Sequence, residues 1–208
     1  KDGGLPITAW EITGLKTAVR VDGTINKSGD KDRGWTVEIR WPFEGLQELG
    51  TLKFPPRDGD RWRINFSRVE WDTEVVEGQY RKVKDRPEHN WVWSPQGVID
   101  MHRPERWGYL QFSTEAPGKA TFRTDPDWPV RDLLHRVYYA ERAYRKANGK
   151  YSPTLEKLDL KGLSAPLSGP ITLETTANGF EASLTRPGAR GEKPRRFSIT
   201  HNALLTVE

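Results

Sequence analysis

Cysteine is absent from all 208 residues, which excludes disulfides and thiolate metal sites while leaving the compartment open. Apolar residues are also scarce. Only 35% of the chain is hydrophobic, and no run of about 18 apolar residues is present to encode a transmembrane helix. Nor is charge of one sign concentrated. Up to Ser113 eighteen Lys and Arg meet eighteen Asp and Glu, and from Thr114 onward fifteen meet eleven, so the whole net charge of +4 falls in the tail. A nucleic-acid surface needs a clustered basic face, which this weak and interspersed excess does not supply. The densest basic run, RPGARGEKPRR, reads as a solvated loop. The opening Lys1-Asp2-Gly3-Gly4 lacks signal-peptide character, so any export signal is expected ahead of it.

What the chain has instead is tryptophan. Nine indoles offset part of the aliphatic deficit, because each buries far more area than Leu or Val, and eight of them precede residue 114. The change in composition falls in STEAPGKATFRTDPDWP, whose Pro, Gly, Thr and Asp content marks a linker. The expected organisation is therefore a first domain over residues 1–115, a linker over 116–128 and a second unit over 129–208.

The first domain reads as strands. In WTVEIRW, Trp35, Val37, Ile39 and Trp41 alternate with polar residues, and RWRINFSRVEW repeats the pattern with Trp62, Ile64 and Phe66 on one side. Trp35, Trp41 and Trp62 head these apolar faces and are expected in the core. Ile7–Ile12 and Leu15–Val21 are weaker strands, and WGYLQF splits Trp107 and Tyr109 from Leu110 and Phe112. Short strands separated by Gly/Asp/Pro clusters argue for an antiparallel β-sandwich. The second unit differs: Val130, Leu133, Leu134, Val137, Tyr138 and Tyr144 recur at helical spacing, with Pro129 in the first turn and Asn148-Gly149 as the stop. ITLET, GFEASL, FSITH and ALLTV then read as strands, with Asn178-Gly179 a hairpin signal, giving a small α+β unit of one helix and a short antiparallel sheet.

Four segments in order, GWTVEIRWPF, GDRWRINFSRVEW, HNWVWSPQG and HRPERWGYLQF, resemble the second half of a family 9 carbohydrate-binding module. The resemblance covers about residues 5–113. It implies a mainly β sandwich of the carbohydrate-binding-module type, without catalytic activity of its own, serving a secreted or periplasmic glycoside hydrolase system. It also implies further strands ahead of the segment at Ile7, supplied by another chain or fragment. In the tail, AERAYRKANGKYSPTLEKL is similar to the helix-and-loop segment of pilin-like proteins and carries no functional expectation.

Sugars are recognised by stacking an apolar C–H face on an aromatic ring while hydroxyls meet charged and amide side chains. In the family a sugar lies between two tryptophans, and an asparagine stands three residues before the second-half ring. Asn90 and Trp93 have that spacing here. Trp91, on Trp93's side of an extended strand, could take the same role. Trp71 is a further stacking candidate, with Arg68 and Glu70 beside it as sugar contacts, whereas Arg63 is expected on a solvated face.

Asp30 and Asp32, in the turn DKDRG, invite a structural calcium reading because the family often carries that ion, although calcium takes six to eight oxygens and a plain turn explains the same residues. A glycosidase needs two carboxyls about 5–10 Å apart with split pKa values, and no segment isolates such a pair. His89, His102, His135 and His201 lack metal-ligand spacing. Two alternatives remain open. Some relatives of the sandwich bind haem through methionine with lysine or histidine, and Met101 is the single methionine; adjacent His102 points to the opposite face of a strand, so a second ligand would come from elsewhere. The sandwich could also serve only assembly, with the tail as docking surface.

Overall fold

The structure is a computed structural model, and it describes residues 9–47, 53–160, 169–188 and 192–208. It is mainly β and antiparallel, with one long helix, and it divides into two units, Ile7–Phe122 and Arg123–Glu208. The stretch 116–128, expected as a linker, is shared between them: Gln111 Nε2 donates to Thr121 O at 3.0 Å in the first unit, while Asp125 and Asp127 belong to the second.

Among the described residues, the N-terminal unit contains four two-stranded antiparallel ladders. β1 (Lys16–Asp22) pairs with β2 (Gly34–Arg40); β3 (Arg61–Ile64) and β4 (Ser67–Glu70) follow, after a single helical turn α1 (Phe43–Leu46). β5 (Thr73–Val76) and β6 (Gln79–Lys82) form a hairpin, and β7 (His89–Val92) and β8 (Gly108–Gln111) return to pair with β4 and β3. Sheet closure of the expected sandwich type is not seen among the described residues. The run 61–71 is two strands rather than one, because Asn65 and Phe66 break the ladder and send each half to a different partner. Of Ile7–Ile12, residues 7 and 8 lie outside the described residues, and 9–12 form a turn and irregular chain instead of a strand.

Aromatic rings hold this unit. Trp62 meets Phe112 edge-on at 4.7 Å between centroids and Phe54 at 5.7 Å, with Phe43 in the same cluster, and Leu46 is the buried residue of α1. Trp62 and Trp41 are half-buried. Trp35 is not a core residue: it is 53% exposed, as all residues of β1 and β2 are exposed. In the ribbon's register Val21 opposes Trp35, Val19 opposes Val37 and Thr17 opposes Ile39, so the period-two pattern does build an apolar face, but no described residue covers it.

The C-terminal unit buries its core in the ordinary way. α2 (Trp128–Asn148) turns Val130, Leu133, Leu134, Val137 and Tyr138 inward at i, i+3, i+4, i+7 and i+8. Pro129 sits in its first turn, and Gly149, with φ +73°, ends it by donating its N–H to Arg145 O at 2.8 Å. The helix packs on a four-stranded sheet of order β12 (Leu205–Val207), β11 (Arg195–Thr200), β10 (Phe180–Arg186), β9 (Thr172–Thr175), against Phe180, Ala182, Leu184, Phe197 and Ile199. Two acids are buried here. Asp127 accepts hydrogen bonds from Arg186 and Arg195, which oppose each other across β10 and β11, and lies 3.7 Å from Arg131. One carboxylate thereby offsets the repulsion between two facing guanidiniums and ties the helix start to the sheet.

Glu141 is fully buried on the same helix. Its Oε2 accepts the Ser152 N–H at 2.8 Å, and its Oε1 has no partner among the described residues. Burial raises this carboxyl above the usual carboxylate range, against a smaller opposing pull from the Ser152 N–H. The folded state thus keeps a proton that the unfolded chain has lost. That stabilisation is complete below the ordinary carboxyl value and is lost as pH rises through the raised one, at up to about 1.4 kcal/mol per pH unit. Glu141→Gln retains an acceptor for Ser152 and has no proton to lose. Denaturant titrations should show its stability level across that window while the wild type declines. Glu141→Leu should lose about 1–3 kcal/mol below that window, from the orphaned Ser152 N–H, with the deficit against wild type shrinking as pH rises through it.

Candidate functional site

Most of the expected site residues lie on or beside the β4–β7 ladder. Its register sets Ser67 against Val92, Arg68 against Trp91, Val69 against Asn90 and Glu70 against His89. Alternation along the strands therefore gives two faces: Arg68, Glu70, His89 and Trp91 on one, Ser67, Val69, Asn90 and Val92 on the other. Trp93 extends the ladder by one bond, its N–H reaching Phe66 O at 3.0 Å, and so keeps the phase of Trp91. The Asn90 and Trp93 expected to act together stand on opposite faces, because an i, i+3 spacing changes sides on an extended strand.

Trp91 is the open ring of the group, 58% exposed. Across the ladder Arg68 Nη2 donates to Glu70 Oε2 at 2.6 Å, which fixes both side chains on the indole's own face. His89 Nε2 lies 3.2 Å from Asp72 Oδ1, and Arg86 Nη1 lies 3.9 Å from Asp72 Oδ2. Trp71 follows β4 by one position, in phase with Val69 and Asn90, and the Lys82 ammonium stands 4.9 Å from its ring centroid. Lys82 and Asp72 were not singled out from the sequence. The signal for Lys82 was Glu77-Gly78, two residues with φ of +52° and +77° that close the β5–β6 hairpin and return Lys82 toward Trp71.

Trp93 is held differently. Its Nε1 donates to Ile64 O at 3.0 Å, and its ring meets Phe66 edge-on at 5.8 Å, while Phe66 stacks parallel on Trp41 at 6.1 Å. Although 47% exposed, it has no indole donor left for a ligand. Trp107 is likewise committed, with Nε1 on Met101 O at 2.7 Å. Arg63 is a part-buried clamp rather than a solvated residue: it donates to Trp107 O at 2.5 Å and Tyr109 Oη at 2.8 Å, and its guanidinium lies 3.7 Å from the Tyr109 ring centroid. Met101 places its sulfur 3.9 Å from Ser67 Oγ.

Asp30 and Asp32 organise the loop between β1 and β2. Both Asp30 oxygens accept from Thr24 Oγ1, at 3.0 and 2.9 Å, and Asp32 Oδ1 accepts the Thr24 N–H at 2.7 Å. Among the described residues, no group of three or more His, Asp or Glu is placed to hold a metal ion. Comparison with family models, curated proteins and solved structures gives no match to this chain.

Gly108 is the position on which the placement of Trp93 turns. A Cβ there would fall 2.6 Å from Trp93 Cζ2 and 2.8 Å from Ser94 Cβ. Gly108→Ala should displace the ring, cost about 1–3 kcal/mol in chemical denaturation and change tryptophan emission.

Proposed function

We infer that this chain is a non-catalytic carbohydrate-binding module of the family 9 type, exported and serving a glycoside hydrolase system. The observation that carries the reading is the Trp91 face: an indole more than half exposed, flanked across the ladder by an Arg68–Glu70 pair already held at 2.6 Å. An open ring offers a stacking plane for the C–H face of a pyranose. Each half of the ion pair keeps further hydrogen-bonding capacity for hydroxyls at the ring's edge, and the preset geometry lowers the ordering cost of binding. Trp91, rather than Trp93, then takes the stacking role. Trp71, with Lys82 beside its ring, and Asn90 form a second aromatic and polar group in the other phase of the ladder.

The bare β1–β2 ribbon supports the companion part of this reading, in which further strands from another chain or segment complete the sandwich. Val19, Val21, Trp35, Val37 and Ile39 are all exposed on its apolar face. A face of that kind, with unpaired strand edges beside it, is ordinarily covered in a stable protein. Intact-mass measurement of native material should find a companion species that separates in denaturant. A lone 23.8 kDa monomer would remove the companion from the proposal.

Trp91→Ala should weaken polysaccharide binding roughly 30-fold, the loss of about 2 kcal/mol associated with an aromatic anchor, with little change in melting temperature. Affinity electrophoresis against a panel of soluble polysaccharides, paired with thermal melts, checks both parts. Unchanged retardation on every polysaccharide would defeat the sugar assignment.

A further inference from the structure

A second concave site lies at the Gly34 end of the β1–β2 ribbon, lined by Arg20, Asp22 and Thr36 of its polar face together with Arg33 and with Trp35 of the apolar face, apart from the β4–β7 ladder in sequence. It is an open surface hollow of about 460 Å³ lined by Arg20, Asp22, Arg33, Gly34, Trp35 and Thr36, all of them exposed. Its construction follows from the ladder. Arg20 opposes Thr36 and Asp22 opposes Gly34, so these four share one face, and Gly34 leaves that face open because nothing lies within 4 Å of where a Cβ would project. The glycine is also required by its backbone, at φ +155°.

The charges of the hollow do not balance. Arg33 is tied to Asp22 twice, by its N–H on the Asp22 carbonyl at 2.8 Å and by Nη2 on the carboxylate at 3.0 Å. Arg20 has no side-chain hydrogen bond or ion pair among the described residues. One guanidinium therefore lines a ligand-sized concavity with its planar fork unused, beside a neutralised Arg–Asp pair and a hydroxyl. A fork of this kind matches a carboxylate in two parallel hydrogen bonds. Asp22 and Thr36 line the same hollow, and a carboxylate oxygen and a hydroxyl are the acceptor and donor that a polyol attached to that carboxylate would use.

We propose that this hollow binds the carboxylate of an acidic sugar, a uronate, with Arg20 as its anchor. The proposal rests on the carbohydrate reading for the sugar part of its ligand and on the hollow itself for the carboxylate. Binding is weak, with a dissociation constant on the order of 1 mM, as suits a solvent-exposed ion pair. It weakens further as the screening length falls from about 10 Å at 0.1 M salt to about 3 Å at 1 M.

Amide-detected NMR titration of the whole chain tests this with galacturonate and glucuronate, their neutral counterparts galactose and glucose, and acetate. The uronates should shift the amides of Arg20, Gly34 and Thr36, and the neutral sugars should not. Arg20→Gln should weaken the uronate response at least about tenfold and Arg20→Lys less, each with an otherwise unchanged spectrum. Trp91→Ala should leave it intact, so loss of polysaccharide binding and loss of this site are read separately. No uronate shift at these amides, an equal shift with neutral sugars, or a full response in Arg20→Gln overturns the proposal. Acetate binding as well as the uronates would show an anion site without sugar recognition, and overturns it equally.

Discussion

An indole brings a large apolar surface together with one N–H that has to be donated, and in the N-terminal unit that requirement joins ladders that share no strand. Trp93 stands just past β7, and its Nε1 reaches Ile64 O at the end of β3. One side chain thus links the β4–β7 pair to the β3–β8 pair. The link holds only because Gly108, at the start of β8, has no Cβ to meet the ring. Phe66 lies between Trp93 and Trp41, extending the contact into a row of three rings. Leucine or valine could fill such a volume, but neither could donate to the Ile64 carbonyl.

The same accounting separates the indoles by what they have left to offer. Trp93 and Trp107 have each given their N–H to a backbone carbonyl, and Trp62 is enclosed by Phe43, Phe54 and Phe112. Trp91 is the most exposed of the indoles on the ladder, and its neighbours Arg68 and Glu70 bond to each other rather than to it. Exposure alone would not distinguish it from Trp93, since the two differ by little. What differs is that Trp93 is part of the frame, so a ligand stacking on it would compete with contacts that position β7.

Local pattern was legible where each period had one meaning. The helix emerged from spacing that repeats every three to four residues and from Pro129 and Gly149 at its ends, and the four strands after it from short apolar runs with Asn178-Gly179 between the first two. The alternation of β2 was also visible, but alternation says which residues share a face and not whether anything covers it, so Trp35 is on an apolar face and still exposed. The run from Arg61 to Trp71 kept its apolar phase through Asn65 and Phe66, which concealed the change of partner there. In the site, Arg68 and Glu70 were legible beside Trp71 and Trp91 beside Trp93, but it is the β4–β7 register, which the sequence does not carry, that puts Arg68 and Glu70 on the face of Trp91 and Trp71 on the other. The pairing of Asn90 with Trp93 came from a family spacing rather than from strand geometry, and the ladder separates them. Lys82 was hidden because its approach to Trp71 depends on the return of a hairpin.

The two units solve the problem of burying polarity in opposite ways. In the C-terminal unit an apolar helix face and sheet face supply the core, and two acids are carried inside it: Asp127 is matched by Arg186 and Arg195, and Glu141 is matched only in part. Removing a partner from such a group leaves a desolvated charge or dipole behind, which is why the cost falls on the remaining half. The N-terminal unit has few aliphatic residues to bury and instead distributes rings along short ladders, with Trp93 and Trp107 each donating to a backbone carbonyl. Two of its polar pairs remain at the surface, Arg68 with Glu70 and Arg33 with Asp22, beside an open ring in the first case and an unengaged guanidinium in the second. A surface built this way keeps donors and acceptors oriented before any ligand arrives, and recognition of hydroxyl-rich ligands depends on that orientation more than on buried area.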